Sequence, residues 1–271
     1  MMKLLKRNSD QMQSSNARSR PKTDRALSKA MSWVLRHSAP RLKLTISSDG
    51  YVPVSTLLSL KTRNFHLYTE EDIQRVVDSN DKQRFRLAMK NVQYDTEISS
   101  SRSSRYQFVD SGGRQVLCIR ANQGHSIQGI NADQLLNPIP PPELKDLTII
   151  HGTKKDSWEK IKHEGLSRMN RNHIHFAAGL PDNDNVISGM RKSCQIYIYI
   201  NGRKCAEDGV KFYISDNGVI LTSGIDDTGM LPCSYFSSVI DEQTQHDLLA
   251  QRGIESKNKE LTKECEEAFN L

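Results

Sequence analysis

Cysteine pairing is absent from this chain: Cys118, Cys194, Cys205, Cys233 and Cys265 are odd in number, scattered, and form no CxxC pair. Neither a disulfide framework nor a zinc site is expected from that pattern. No run approaches the roughly 18 apolar residues of a membrane span. The opening MMKLLKRNSD lacks the apolar stretch of a secretion signal, so a reducing compartment, cytoplasm or nucleus, is expected. There is no internal repeat and no coiled-coil heptad, and a monomer is expected. Aromatic residues are few, yet the apolar ones gather into periodic segments, which points to a globular chain with polar patches rather than disorder throughout.

What is present is an uneven charge. Residues 1–137 hold 22 Lys and Arg against 12 Asp and Glu, whereas the remainder holds 16 against 20. The first half is therefore the candidate surface for a polyanion, because clustered cations gain affinity by displacing counterions from phosphates. A merely soluble basic surface explains the charge equally well by itself.

Local patterns divide the chain. Residues 1–23 read as a basic arm without apolar period. From Asp24, the residues Leu27, Ala30, Met31, Val34 and Leu35 recur at helical spacing until Pro40 stops the helix, which places Arg36 and His37 in its last turn. An extended piece around Leu44 to Ile46, a turn at Asp49-Gly50 and a small helix near Ser55 follow. Thr69 then caps a helix through Val76 and Val77. Arg84 to Leu87 and Gln115 to Ile119 alternate like the strands of a hairpin. Three helices and a two-stranded wing suggest a winged-helix lobe over 24–136. The Ser- and Gly-rich stretch 90–114 between the strands reads as a flexible insertion without a core role. Consecutive prolines make 137–143 a stiff connector, neither helix nor sheet. Beyond it, 144–245 reads as a mainly β lobe: Leu147 to Ile150 as a strand ending in His151-Gly152-Thr153, a helix from Asp156 to Gly165, then strands near 173–177, 195–200, 212–215, 219–222 and 237–240. Residues 246–271 read as a helical or disordered tail. The fold class expected is α+β.

Several polar groups could carry chemistry. His151-Gly152-Thr153, at the end of a strand, joins two hydrogen-bonding side chains to a glycine that admits a ligand close to the backbone, although such triplets are often plain turns. His173 and His175 share one strand face with no third metal ligand nearby, so no metal is expected. Arg191 sits among small polar residues, and NDKQRF at 80–85 and ANQGHSI at 121–127 flank the wing. None of these decides anything alone.

In order, Arg36-His37, NDKQRF at 80–85, ANQGHSI at 121–127, HGT at 151–153, RNHIHF at 171–176 and ISGMRKS at 187–193 resemble the NAD-dependent tRNA 2′-phosphotransferases, from about Ala26 to Ile240. The resemblance implies a winged-helix RNA-binding lobe joined to an ADP-ribosyltransferase-like lobe. Arg36, His37, Arg84 and Arg191 are implied to be catalytic, with Arg84 bridging the lobes. His151, Gly152, Thr153, Ser167, Asn172 and His173 are implied to bind NAD, which serves as co-substrate. A catalytic Glu found in many protein-modifying ADP-ribosyltransferases is missing, since the matching strand reads Asn217 to Thr222; an anionic phosphate needs no such base.

The expected reaction is the last step of tRNA splicing. An internal 2′-phosphate passes to NAD through an ADP-ribosylated phosphate, leaving 2′-OH RNA, ADP-ribose 1″,2″-cyclic phosphate and nicotinamide. The arginines would hold the phosphate, and His37 would protonate the departing 2′-oxygen. A helix C-terminus favours the imidazolium and flanking arginines oppose it, a balance the sequence leaves open. The alternatives are an ADP-ribosyltransferase that caps nucleic-acid phosphates, and a noncatalytic RNA-binding protein.

Overall fold

A computed structural model describes residues 23–94, 106–180, 189–191 and 193–250. The basic arm up to residue 22, the middle of the Ser-rich stretch and the tail beyond residue 250 lie outside the described residues.

The helix from Asp24 forms as its periodicity requires: α1 (Asp24–Trp33) buries Leu27, Ala30 and Met31. It then widens into a π-helical turn, Val34–Ser38, closed by Ala39 N–H donating to the Val34 carbonyl at 2.9 Å. Pro40 opens a 3-10 turn directly afterwards. The widening lets Val34 and Leu35 stay in the core while Arg36 and His37 emerge at the helix end, a use of π turns common at functional sites. Next come β1 (Val52–Pro53), α2 (Val54–Leu58) and α3 (Glu70–Asp78). Thr69 and Asp72 cap α3 reciprocally through side chain and backbone, satisfying two otherwise free N–H groups.

The three helices pack on an antiparallel sheet formed by β1, β2 (Phe85–Tyr94), β3 (Tyr106–Phe108) and β4 (Arg114–Ala121), in the order β1-β4-β2-β3. This corrects the expected insertion 90–114. Residues 90–94 continue β2, which pairs with β4 as far as Val92 opposite Arg114. Val92 and Tyr106 are buried, and the Tyr106 hydroxyl donates to the Thr45 carbonyl at 2.6 Å. Lys90, Asn91 and Gln93 give this end of the strand a polar composition that hides it. The extended piece near Leu44 is irregular rather than a strand.

The proline stretch also departs from expectation. After α4 (Ala132–Leu135), Asn137–Pro138 forms β5, and Pro141–Leu144 forms α5. Both fit proline chemistry: β5 lies at the edge of its sheet, where a missing donor costs nothing, and the first turn of a helix leaves its N–H groups free anyway.

The second half carries β6 (Ile150–Thr153), α6 (Lys155–Glu164), β7 (Leu166–Ser167), β8 (Ile174–Phe176), β9 (Ile196–Ile200), α7 (Gly202–Glu207), β10 (Tyr213–Ile214), β11 (Ile220–Thr222), β12 (Met230–Leu231) and β13 (Phe236–Asp241). They form sheets β5-β10-β11-β8, β12-β7 and β13-β9-β6. An Ile150–Ala177 bridge links β6 to the end of β8. His151-Gly152-Thr153 therefore lies inside a strand, paired with Ile198, Tyr197 and Ile196, and not in a turn after it. One apolar core draws on residues 27–127 and another on 139–239, while Leu135 and Leu136 pack against Tyr213, Val219 and Leu221 in a third.

Candidate functional site

A cleft of about 1230 Å³ opens where the two halves meet. His37, Arg41 and Ser126 line it from the first half; His151, Thr153, Ser167, Arg171, His173, His175 and Arg191 line it from the second. A neighbouring groove of about 690 Å³ runs along α1, with Arg36, His37 and Arg84 on its wall. His37 borders both hollows.

Arg36 is the least ordinary group here. Its guanidinium lies against Gly124, where an added Cβ would stand 3.4 Å from Cζ. Its Nε and Nη2 are buried without a hydrogen-bond partner. Burial first, and then the charges of Arg171 and Arg84, lower its pKa to about 10, which still leaves it charged near neutrality. Arg171 is in turn depressed by burial and by Arg191. The four guanidinium groups thus form a chain, Arg84 to Arg36 to Arg171 to Arg191, and none is ion-paired with a described carboxylate. Arg84 finds only the Asn80 amide oxygen, at 3.1 Å. Each buried donor left unpaired costs roughly 1–3 kcal/mol, so like charges held together in this way suit an anion that satisfies them all.

His37 Nδ1 is hydrogen-bonded to Ser126 Oγ at 2.9 Å, leaving Nε2 as the open ring nitrogen. Partial burial, followed by Arg36, Arg171 and Arg41, lowers its pKa. Burial first, and then the arginines, tip the balance left open by sequence toward the neutral imidazole. The serine hydroxyl can donate to that neutral ring and accept from its charged form, so the ring keeps its place through a proton cycle.

The groups associated with NAD by resemblance divide. His151 Nδ1 is fixed on the His175 carbonyl at 2.9 Å, and burial holds its pKa low despite that bond, leaving a neutral ring on the cleft wall. Thr153, Ser167 and His173 also line the cleft. Gly152 and Asn172 do not. The Asn172 amide donates to the Ile127 carbonyl at 3.1 Å, and its backbone N–H donates to the His125 carbonyl at 2.8 Å, tying the halves together. A Cβ on Gly152 would collide with the side chains of Met190 and Cys194. Its small size makes room for Met190, the neighbour of Arg191. Gly152→Ala is expected to cost about 1–3 kcal/mol by overpacking, with activity falling as Met190 displaces Arg191; denaturant unfolding and turnover check both.

Sequence reasoning gave no role to Arg171, although it stands two residues before His173. It also missed the task of residues 122–127. Asn122 holds the carbonyls of Gln83 and Arg84; Gln123 accepts from His175 Nε2 at 2.9 Å; Gly124 supports Arg36; His125 and Ile127 receive Asn172. Ser126 binds the Arg36 carbonyl and the His37 ring. His125 is almost fully buried, and its pKa falls to about 3 through burial and then Arg36, so no further charge joins the arginines. Six consecutive residues thus hold catalytic candidates from both halves in register.

Residues 22–224 match the sequence model described as RNA 2'-phosphotransferase, Tpt1 / KptA family. The chain is 41% identical over 234 residues to the tRNA 2'-phosphotransferase 1 of Bos taurus, covering 86% of this chain and 82% of that protein. It is 39% identical over 207 residues to the tRNA 2'-phosphotransferase of Saccharomyces cerevisiae, covering 75% and 80%. With three-quarters of its length matched in this way and an uncompensated arginine cluster at the cleft, the chain belongs to the RNA 2'-phosphotransferase family.

Proposed function

We propose that this chain removes the internal 2′-phosphate of spliced tRNA by transferring it to NAD. The products are 2′-OH RNA, ADP-ribose 1″,2″-cyclic phosphate and nicotinamide, formed by way of an ADP-ribosylated RNA phosphate. The reading assigns 24–136 to a winged-helix RNA lobe and 144–245 to an ADP-ribosyltransferase-like lobe. The names of the relatives support the tRNA substrate.

The observation that carries the proposal is the row of guanidinium groups in which Arg36, flanked by Arg84 and Arg171, keeps two buried N–H donors open. Arginine presents a planar fork that pairs with two phosphate oxygens at once and stays charged. Arg36, Arg84 and Arg191, joined by Arg171, grip the phosphate more strongly as charge builds on its oxygens, which lowers the barrier and not merely the ground state. His37, steadied by Ser126, delivers a proton from Nε2 to the departing 2′-oxygen.

At about 1230 Å³ the cleft exceeds the roughly 300–1,000 Å³ of an ordinary ligand pocket, which leaves room for a dinucleotide beside the RNA phosphate. NAD brings an anomeric carbon bearing a good leaving group. His151, held neutral by burial, together with Thr153, Ser167 and His173 supplies hydrogen bonds for its hydroxyl and amide groups.

The proton balance at His37 gives a prediction. Its pKa lies below the ordinary value in the free protein, and a bound phosphate raises it by offsetting Arg36 and Arg171. Between those two pKa values, binding of 2′-phosphorylated RNA takes up a proton, and affinity falls as pH rises. Calorimetry in buffers of different ionisation enthalpy measures the uptake. His37→Gln should remove it; an unchanged uptake in that variant would contradict the role.

The reaction itself is tested by incubating the protein with NAD and an oligonucleotide bearing one internal 2′-phosphate. Nicotinamide, 2′-OH RNA and cyclic phosphate are expected, with turnover undiminished by EDTA. A stable ADP-ribosyl adduct without cyclic phosphate would reassign the chain to phosphate capping. RNA binding indifferent to NAD, with no nicotinamide released, would make it a binder only.

A further inference from the structure

The groove along α1 extends beyond the catalytic groups to Arg25, Lys29 and Trp33. Arg25, Lys29 and Trp33 occupy positions i, i+4 and i+8 of the helix and so form one stripe on its groove side. Lys82 faces them from the segment before β2. Of the two carboxylates at this groove, Asp24 is engaged by Arg75 at 3.0 Å and Asp81 stands next to Lys82, so the cations Arg25, Lys29, Lys82, Arg36 and Arg84 outnumber them. Arg25 and Lys29 are exposed and form no ion pair with a described residue. Trp33 is only partly buried, and the Arg63 guanidinium covers one side of its ring, 4.8 Å from the centroid. Arg63 holds a left-handed backbone, φ 56°, at this position, a conformation that costs energy in a side-chain-bearing residue. Basic residues along a track, interleaved with an aromatic ring backed by a cation, match the needs of unpaired nucleotides: phosphates find charge and a base finds a face.

The groove joins the cleft at one place, beside His37. We propose that it seats the single-stranded RNA on one side of the 2′-phosphate. Backbone phosphates lie on Arg25, Lys29 and Lys82, and a neighbouring base rests against Trp33. The inference rests on the phosphotransferase reading and adds direction to it. RNA is gripped on one flank, and that flank must be unpaired, because a base held in a duplex offers no free face for stacking.

The test uses the whole chain, NAD and three substrates: a 2′-phosphorylated dinucleotide, and the same unit extended by several nucleotides on the 5′ side or on the 3′ side. Extension on one side alone is expected to raise kcat/KM by about tenfold, within the range that stacking of one base supplies. The double variant Arg25→Glu, Lys29→Glu should erase that gain and flatten its salt dependence, while turnover of the dinucleotide stays unchanged. Trp33→Leu should reduce the same gain, and a complementary strand annealed to that flank should abolish it. Equal gains from both sides, or a gain that survives charge reversal, would overturn the proposal. Because Arg25 and Lys29 are surface residues, the double variant keeps the test valid even where Trp33→Leu folds poorly. If the wild-type protein turns over no 2′-phosphorylated substrate, the phosphotransferase reading fails instead.

Discussion

Arg36→Ala is expected to reduce turnover by about 10²–10³-fold, the usual loss when one positioned donor to a developing oxyanion is removed, while leaving the fold about as stable as before. The two halves of that expectation have one cause. Arg36 carries buried N–H groups without partners and stands among like charges, so the folded protein gains little from keeping it. Its loss removes unfavourable burial and repulsion, set against lost packing on Gly124. Arg36→Lys should rescue little, because a point charge cannot reproduce the fork. The block should fall on release of the RNA. Both Arg36→Ala and His37→Ala are expected to accumulate ADP-ribosylated RNA in single-turnover experiments. Equal slowing of both steps without an intermediate would reject the assignment of these residues to the second step.

The largest stability loss is expected at Asp216. Its carboxylate receives Arg120 at 2.8 Å and Arg86 at 2.9 Å, joining the first sheet to the β10–β11 turn. Nearby, the Asn217 amide donates to the Lys82 carbonyl at 2.8 Å. Arg120 is buried; apart from Asp216 it has the Asp49 carbonyl at 3.2 Å and the Tyr51 ring. Asp216→Ala strands that charge, and breaking a buried pair from one side costs roughly 3–5 kcal/mol. The two remaining contacts of Arg120 place the expected loss near the lower end, about 3 kcal/mol, or a Tm lower by roughly 6–12 °C. Burial alone would raise the Asp216 pKa, but hydrogen bonds from Arg86 and Arg120 outweigh it and hold the carboxyl low. The stabilisation is therefore complete above the ordinary carboxylate pKa, roughly 4, and is lost as pH falls through the lower folded value. Calorimetric scans at pH 7 and pH 3 check both the size and the window. A Tm unchanged at pH 7 would show that the contact contributes nothing.

The contrast between these two arginines explains what sequence could and could not show. The α1 period and Pro40 located Arg36 and His37 at a helix end, and the alternation of Ile196, Ile198 and Ile200 located a core strand, because each follows from which residues must leave water. Strand β2 runs past its sequence signal, because Lys90 and Asn91 give it a polar look there and Val92 alone marks its buried face. The composition of His151-Gly152-Thr153 suits a turn, and only the partner strand β9 reveals that it is paired. The Ala121 to Ile127 stretch carried no periodic signal at all. Its importance comes from lying between two halves distant in sequence, where successive polar groups meet Arg84, His175, Arg36, Asn172 and His37. Arg171 went unassigned for the same reason: its neighbours Arg36 and Arg191 are far away along the chain.

Convergence of guanidinium groups from both halves on one phosphate is measurable as an energetic coupling. The quantity is the affinity for a 2′-phosphorylated oligonucleotide relative to its 2′-hydroxyl counterpart, in wild type, Arg36→Ala, Arg191→Ala and the double variant. Residues sharing one ligand group should be non-additive by more than about 1 kcal/mol, whereas independent sites add within about 0.3–0.5 kcal/mol. Strong coupling confined to the phosphorylated oligonucleotide is the predicted result; strict additivity would mean that the two arginines serve different anions.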